Sequence, residues 1–311
     1  MEFSPNELQH QILESLEALL KRNGDWHRAL ELMESGQYDE TLHRLLQDAG
    51  FMDLTVTAGL GPLEAALVVE KIAERPGVVA AGATLLVYPM VTERSAHGPV
   101  ALTTIKNPPS RMAPFATTVL VLADEEAMKV EVELKDIEVI DNDHSGWPLG
   151  RLKPEALARA VSLGRGTGKL LRGWWRVALA LEAAGAMRGA VACTNQYIKD
   201  RVQFGHPLGS FQALQHRMAH LVVLTEGVYW LALRAAYEFT PINANAAATH
   251  AVASAAQVLR DTHQMQGAIG LSREYPLHLW TFRLPDLQRE LGGLSGHSRE
   301  LARAIATAHH G

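Results

Sequence analysis

The amino-acid sequence predicts a mainly α-helical chain with a small β domain: a helical domain over residues 1–95, a β domain over 96–165 and a helical bundle over 166–311. Three observations carry this. Apolar residues recur at helical spacing in "HQILESLEALLKR" and "LEAALVVEKIAER". Strict alternation replaces that spacing in Lys129-Val130-Glu131-Val132-Glu133-Leu134, the mark of a strand with one wet face. From about Lys169 four long helical segments follow with short links, which makes an antiparallel four-helix bundle.

Each element has its own signal. Ser4-Pro5-Asn6-Glu7 reads as a helix start, with Ser4 as cap, Pro5 at the first helical position and Glu7 closing a capping box. Helical pattern continues to about Thr92, broken at "RNGD", "ESGQ" and "AGLGP". Between Val100 and Leu163 lie the branched runs "PVALTTI", "TTVLVLAD", "KVEVEL" and "IEVI", with turns at "NPPS" and "DNDHSGWP". The first bundle helix spans "LLRGWWRVALALEAAGAMRGAVACTNQYIK". The second ends at Thr240-Pro241, since proline disfavours helix in the residue before it. The third, "INANAAATHAVASAAQVLRDTHQMQGAIG", is rich in small residues that permit close packing. The fourth runs from Tyr275, with a kink expected at Pro285 and a break at Gly292-Gly293.

Composition excludes several classes. With 47% hydrophobic and 20% charged residues the chain can bury a substantial core and lacks the marks of disorder. A net charge of −5 argues against a nucleic-acid binder, which needs a basic face. The one cysteine, Cys193, has no partner for an internal disulfide, and "MEFSPNELQHQI" does not read as a signal peptide. No window reads as an uninterrupted membrane span, so a cytoplasmic protein without membrane contact is expected.

Two motifs are decoys. "GRGTGK" (164–169) resembles a phosphate loop, but Leu163 stands where the first glycine belongs and Leu170 where Ser or Thr belongs; a linker is the better reading. His216 and His220 have metal-sharing spacing on a helix, yet no third ligand accompanies them, so no metal site is expected. The Trp174-Trp175 pair reads as core packing.

The stretch "DRVQFGHPLGSFQALQHRMAH" carries more chemistry. Arg201 and Phe204 stand at the end of a long helix before the turn of Gly205, His206 and Pro207. An arginine there can reach a phosphate bidentately, and the phenyl ring beside it can cover a flat ring system. Ser210 is placed to cap the next helix, whose N-terminus favours an anion, and Gln212 and Gln215 present amides from its first turns. A glycine cluster in "QMQGAIG", with Gln264 and Gly267, lets backbone approach a ligand closely. Together these suit a dinucleotide bound on a bundle; the plain alternative is two tight helix connections.

"RVQFGHPLGSFQALQHRMAHL" resembles the arginine-x-glutamine-phenylalanine-glycine segment of the acyl-CoA dehydrogenase family, and "QMQGAIGLSREYPLHLW" is similar to that family's second signature. The resemblance implies an acyl-CoA dehydrogenase-like fold and an FAD shared between neighbouring subunits. By matching positions, Arg201 would meet the cofactor's pyrophosphate and Phe204 would cover part of its ring framework. Gln212, Gln264 and Gly267 would add contacts to FAD held mainly by the adjacent subunit.

The sequence also departs from that pattern. The family's acidic, glycine-rich flavin loop is missing from "ALTTIKNPPSRMAPFATTVLVLA", although Thr103-Thr104 remain. Where the family carries its catalytic glutamate this chain has Leu291, with Glu290 one position early; one residue rotates a helical side chain by roughly 100°. The base position used by some relatives is occupied by Trp175, and Gln266 and Ala268 replace a histidine and a glycine of the second signature. The resemblance therefore implies a short, non-catalytic subunit of a heteromeric acyl-CoA dehydrogenase, without a catalytic residue of its own. It would complete the FAD site of a longer catalytic partner, in an α2β2 assembly acting on an acyl-CoA such as a steroid side-chain thioester. The competing expectations are a homo-oligomeric enzyme using Glu290 as base and a scaffold that binds neither FAD nor acyl-CoA.

Overall fold

Asn6, rather than Ser4, caps the first helix in the computed structural model, which describes residues 5–23, 25–141 and 146–309. Asn6 Oδ1 accepts the backbone N–H of Gln9 at 2.9 Å while Gln9 Oε1 accepts that of Asn6 at 3.0 Å. This reciprocal box stands two residues beyond the expected Ser4–Glu7 box, and Ser4 lies outside the described residues. Helix α1 (Glu7–Asn23) follows, then α2 (Trp26–Glu34), capped by Asp25, and α3 (Glu40–Asp48), capped by Asp39. Pro62 opens α4 (Pro62–Ala73), and the backbone N–H of Gly61 donates to Glu64 Oε2 at 3.0 Å. A π-helical turn, Gly82–Val87, runs into the short α5 (Tyr88–Thr92).

The β region is two sheets where one unit was expected. Strands β1 (Val100–Thr104), β2 (Ser110–Arg111), β3 (Thr118–Ala123), β4 (Glu126–Glu131), β5 (Ile137–Ile140), β6 (Leu149–Leu152) and β7 (Val161–Arg165) form the orders β1-β3-β4-β7 and β2-β6-β5. A single helical turn, α6 (Pro154–Leu157), separates β6 from β7. β1 lies parallel to β3, and β3 turns back antiparallel into β4. The alternating run at 129–134 contributes only its first half to β4, because Asp136 accepts the Glu133 N–H and bends the chain away. Part of the "DNDHSGWP" turn, residues 142–145, lies outside the described residues. "GRGTGK" is a strand-to-helix junction: Gly164 and Arg165 finish β7, and Gly166, at φ 91°, precedes the next helix.

That helix, α7 (Thr167–Asp200), is the axis of the molecule. It is long and apolar enough to cross a membrane, which corrects the expectation that no window is; most of it is buried inside the protein, as a core helix is. Gly185 and Gly189 let the α4 backbone and Trp280 approach closer than any side chain would allow. A hairpin of two-residue strands, β8 (Val202–Gln203) and β9 (His206–Pro207), leads to α8 (Gln212–Tyr237). Thr240 accepts the Asn243 N–H and Pro241 opens α9 (Pro241–Gln266), so the dipeptide that stops one helix starts the next.

The expected fourth helix is divided into α10 (His278–Thr281), α11 (Arg283–Arg289) and α12 (Gly293–His309). Pro285 sits in the first turn of α11, just past the interruption at Phe282, where its missing N–H leaves no bond within α11 unmade. The break falls at Leu291, Gly292 and Gly293, all at positive φ. One core, with Leu16, Leu46, Ile72, Leu179, Met187 and Leu221 fully buried, joins the N-terminal helices to the bundle. Each such side chain contributes roughly 1.5–3 kcal/mol by leaving water. A smaller cluster under the sheets includes Val119, Val130, Ile137 and Leu152.

Candidate functional site

Chain direction brings the sequence-predicted residues to one end of the bundle. α7 and α9 both end there and α8 begins there, with Gln266 of α9 donating to Thr194 of α7 at 3.0 Å. Arg201 is the residue that closes α7. Phe204 and Gly205 form the hairpin tip, both left-handed at φ 55° and 83°, as a two-residue turn matched to strand twist requires. A phenylalanine at this φ is strained, and its ring is 86% exposed, touching Phe211 edge-to-face at 6.2 Å. Arg201, Gln212 and Gln264 are also exposed, and Arg201 makes no ion pair among the described residues. Gly267, at φ 65°, is exposed, and a Cβ built on it would meet nothing within 4 Å.

One expected role is corrected here. Ser210 does not cap α8: its hydroxyl donates to the Pro207 carbonyl at 2.7 Å, and Phe211 occupies the cap position without a side-chain bond. The first turn of α8 is steadied instead by Gln215, whose amide donates to the Gly209 carbonyl at 2.9 Å. His216 and His220 lie exposed on α8, and among the described residues no group of three His, Cys, Asp or Glu is placed to hold a metal. Trp174 stacks on Phe239 at 4.4 Å, as core packing.

A second constellation lies in the cleft between the sheets and the bundle. Arg111 of β2 bonds two carboxylates, Glu182 at 2.9 Å through Nη2 and Glu290 at 2.5 Å through Nε. The remaining oxygens are also taken: Gly82 N–H donates to Glu182 Oε1 at 3.2 Å, and the Trp175 indole N–H donates to Glu290 Oε2 at 2.5 Å. Trp175 and Glu182 are seven residues apart, two turns of α7, and so share a face. The guanidinium also lies 4.3 Å from the centre of the Trp147 ring. Arg111, Glu182 and Glu290 side chains are 15%, 8% and 15% exposed, so this is a buried, fully satisfied ion network. Burial pushes the Glu290 carboxyl above the ordinary carboxylate range against the pull of Arg111. The two carboxylates hold the Arg111 guanidinium protonated despite its burial.

Outside this network opens a cavity of about 780 Å³, walled by Leu102, Ile105, Leu122 and Trp175, with Lys106 and Arg172 among its cations. Sequence reasoning missed Arg111 and Glu182. Glu182 did leave a trace, as a lone acid in the apolar run "VALALEAAGA". Arg111 left none. Elsewhere, buried Arg176 donates to His297 at 3.4 Å; burial and the neighbouring guanidinium push that imidazole down to about 4.

Residues 173–302 match the acyl-CoA dehydrogenase C-terminal domain. The matched stretch runs from α7 into α12, so it is the helical bundle that resembles the acyl-CoA dehydrogenases. Acyl-CoA dehydrogenase IpdE2 of Mycobacterium tuberculosis is 38% identical over 104 residues, 33% of either chain; the match thus spans about a third of that relative's length. Over 98% of its length the chain has the fold of the ChsE4-ChsE5 complex from Mycobacterium tuberculosis, at TM-score 0.81, 19% identity and 99% coverage of that chain. The steroid ACAD Tcur3481-Tcur3483 (G363A variant) superposes with TM-score 0.84 at 22% identity, covering 98% of this chain and 99% of that one. The cofactor that this resemblance implies is FAD. The exposed, unpaired groups at the bundle end fit a dinucleotide approaching from outside the chain. In the cleft the groups nearest the family's base position already bond to one another. The two sequence positions where relatives carry a base, Trp175 and the Glu290–Leu291 pair, meet in the same hydrogen bond.

Proposed function

We propose that this chain is the short, non-catalytic subunit of a heteromeric acyl-CoA dehydrogenase, and that it completes the FAD site of a longer catalytic partner. The observation that carries this reading is the contrast in where the polar groups are spent. Arg201 and Phe204 stand exposed on a strained hairpin with Gln212, Gln264 and Gly267 at the same end of the bundle. The one carboxylate near the family's base position, Glu290, is consumed by Arg111 and Trp175. An ion-paired carboxylate with both oxygens engaged is a poor proton acceptor.

In this arrangement Arg201 would pair with the cofactor's pyrophosphate and Phe204 would lie against its flat portion, while the backbone at Gly267 would allow close approach. Bound FAD supplies the hydride acceptor for α,β-desaturation of the thioester; the proton-abstracting base belongs to the partner. The match in fold to the ChsE4-ChsE5 complex and to the steroid ACAD Tcur3481-Tcur3483 favours a longer dehydrogenase partner and a bulky acyl group such as a steroid side chain. An α2β2 assembly in the cytoplasm is the form proposed.

The test is flavin absorbance of the chain produced alone and with a longer dehydrogenase subunit. The chain alone is expected to be colourless and the pair yellow. Arg201→Ala is expected to cut flavin retention by the pair at least about tenfold, since a charge-assisted bond contributes about 1.5–3 kcal/mol. Stoichiometric flavin on the isolated chain would overturn the proposal.

A further inference from the structure

Behind the ion network lies a small inner void of about 20 Å³, lined chiefly by Ala80, Ala83, Val100 and Met112. Its lining and that of the outer cavity have three residues in common, Leu102, Arg111 and Glu290. The ion pair is therefore the partition between an outer cavity with charged groups of both signs, Lys106 among its cations, and an inner, mostly aliphatic space.

We infer that the Arg111–Glu290 pair is a plug across a channel between the sheets and the bundle, and that it sets how deeply an elongated aliphatic ligand can enter the outer cavity. Three features support a plug over an incidental surface pair. Each of the four carboxylate oxygens of Glu182 and Glu290 has a donor, so the closed arrangement is stable without a ligand. It ties β2 to α7 and to the turn after α11, the elements that face each other across the cleft. The inner void is walled largely by small side chains, whereas the plug itself is long and charged. Removal of the arginine side chain would join the two spaces, and with both carboxylates neutralised the remaining wall is aliphatic, the kind of surface that takes up apolar ligands. This inference concerns the isolated chain and holds whether or not a partner's cofactor docks at the bundle end.

The experiment measures decanoate binding to the full chain by titration calorimetry, its carboxylate left to the cations of the outer cavity and its tail directed inward. The background carries Glu182→Gln and Glu290→Gln, so that no variant leaves an ionised carboxylate behind. In that background Arg111→Ala is expected to bind decanoate about tenfold more tightly than the unmodified chain, the gain of two newly buried methylenes at about 0.8 kcal/mol each. Arg111→Met, which refills the plug without charge, should stay within about threefold. Arg111→Val should fall between them, and carries the test if the alanine variant does not fold. Equal binding by the valine and methionine variants, or no gain in either shortened variant, overturns the plug.

Discussion

The bundle end and the interdomain cleft use similar residues to opposite effect. At the bundle end an arginine, an aromatic ring and amides are turned outward: Phe204 is 86% exposed and Arg201 forms no ion pair among the described residues. In the cleft an arginine, an aromatic ring and carboxylates are turned inward and spent on each other. A buried charge must be paired or be costly, whereas an exposed one can wait for a ligand. On the proposed reading, the first region is kept for a ligand from outside the chain, while the second holds the chain together.

The largest effect that sharpens this comparison is expected at Arg111. Arg111→Ala leaves two buried carboxylates facing each other and should destabilise the chain by about 3–5 kcal/mol, read by denaturant unfolding. A loss below about 1 kcal/mol would mean that the cleft is as loosely held as the bundle end.

A smaller effect follows from the buried imidazole beside Arg176. His297 ionises at about 4 in the folded chain, against about 6.5 when unfolded. Its contribution is therefore present above pH 6.5 and is lost as pH falls through 4, by an amount on the order of 2–3 kcal/mol. Thermal unfolding from pH 7 to 4 should show this acid limb, and His297→Gln should flatten it relative to the unmodified chain. Glu70 and Glu290, both pushed up by burial, act in the opposite sense, since folding favours their protonated forms. An unchanged acid limb in the variant would remove His297 from the account.

Phe204 offers a test with opposed signs. A non-glycine residue in left-handed backbone costs about 1 kcal/mol, so Phe204→Gly should stabilise the isolated chain by up to that amount while weakening flavin retention in the assembled pair. If both quantities move together, the hairpin is structural only. The smallest effect is expected at Glu290: Glu290→Gln should change turnover of the assembled pair by less than about threefold. Abolished turnover would make the cleft a working active site and erase the contrast between the two regions.

Much was legible in the chain itself. Helical periodicity, the alternation near Lys129 and the Thr240-Pro241 stop are local signals, and each names an element found in the structure. The bundle-end residues were legible because Arg201, Phe204 and Gly205 lie within a few positions of one another and Gln264 and Gly267 within another short motif. Local signals also misled where two residues competed for one job, as Ser210 and Phe211 did for the start of α8.

The sequence by itself determined the helical–β–helical order, the four-segment bundle and the family's arginine motif, because each rests on side chains only a few residues apart. Only the tertiary structure decided the cleft. Arg111 meets Glu182 and Glu290 across 71 and 179 residues of chain, and Glu290 meets Trp175 across 115. Pairings at such separation are set by which surfaces the core brings together; no periodicity or spacing along the chain records them.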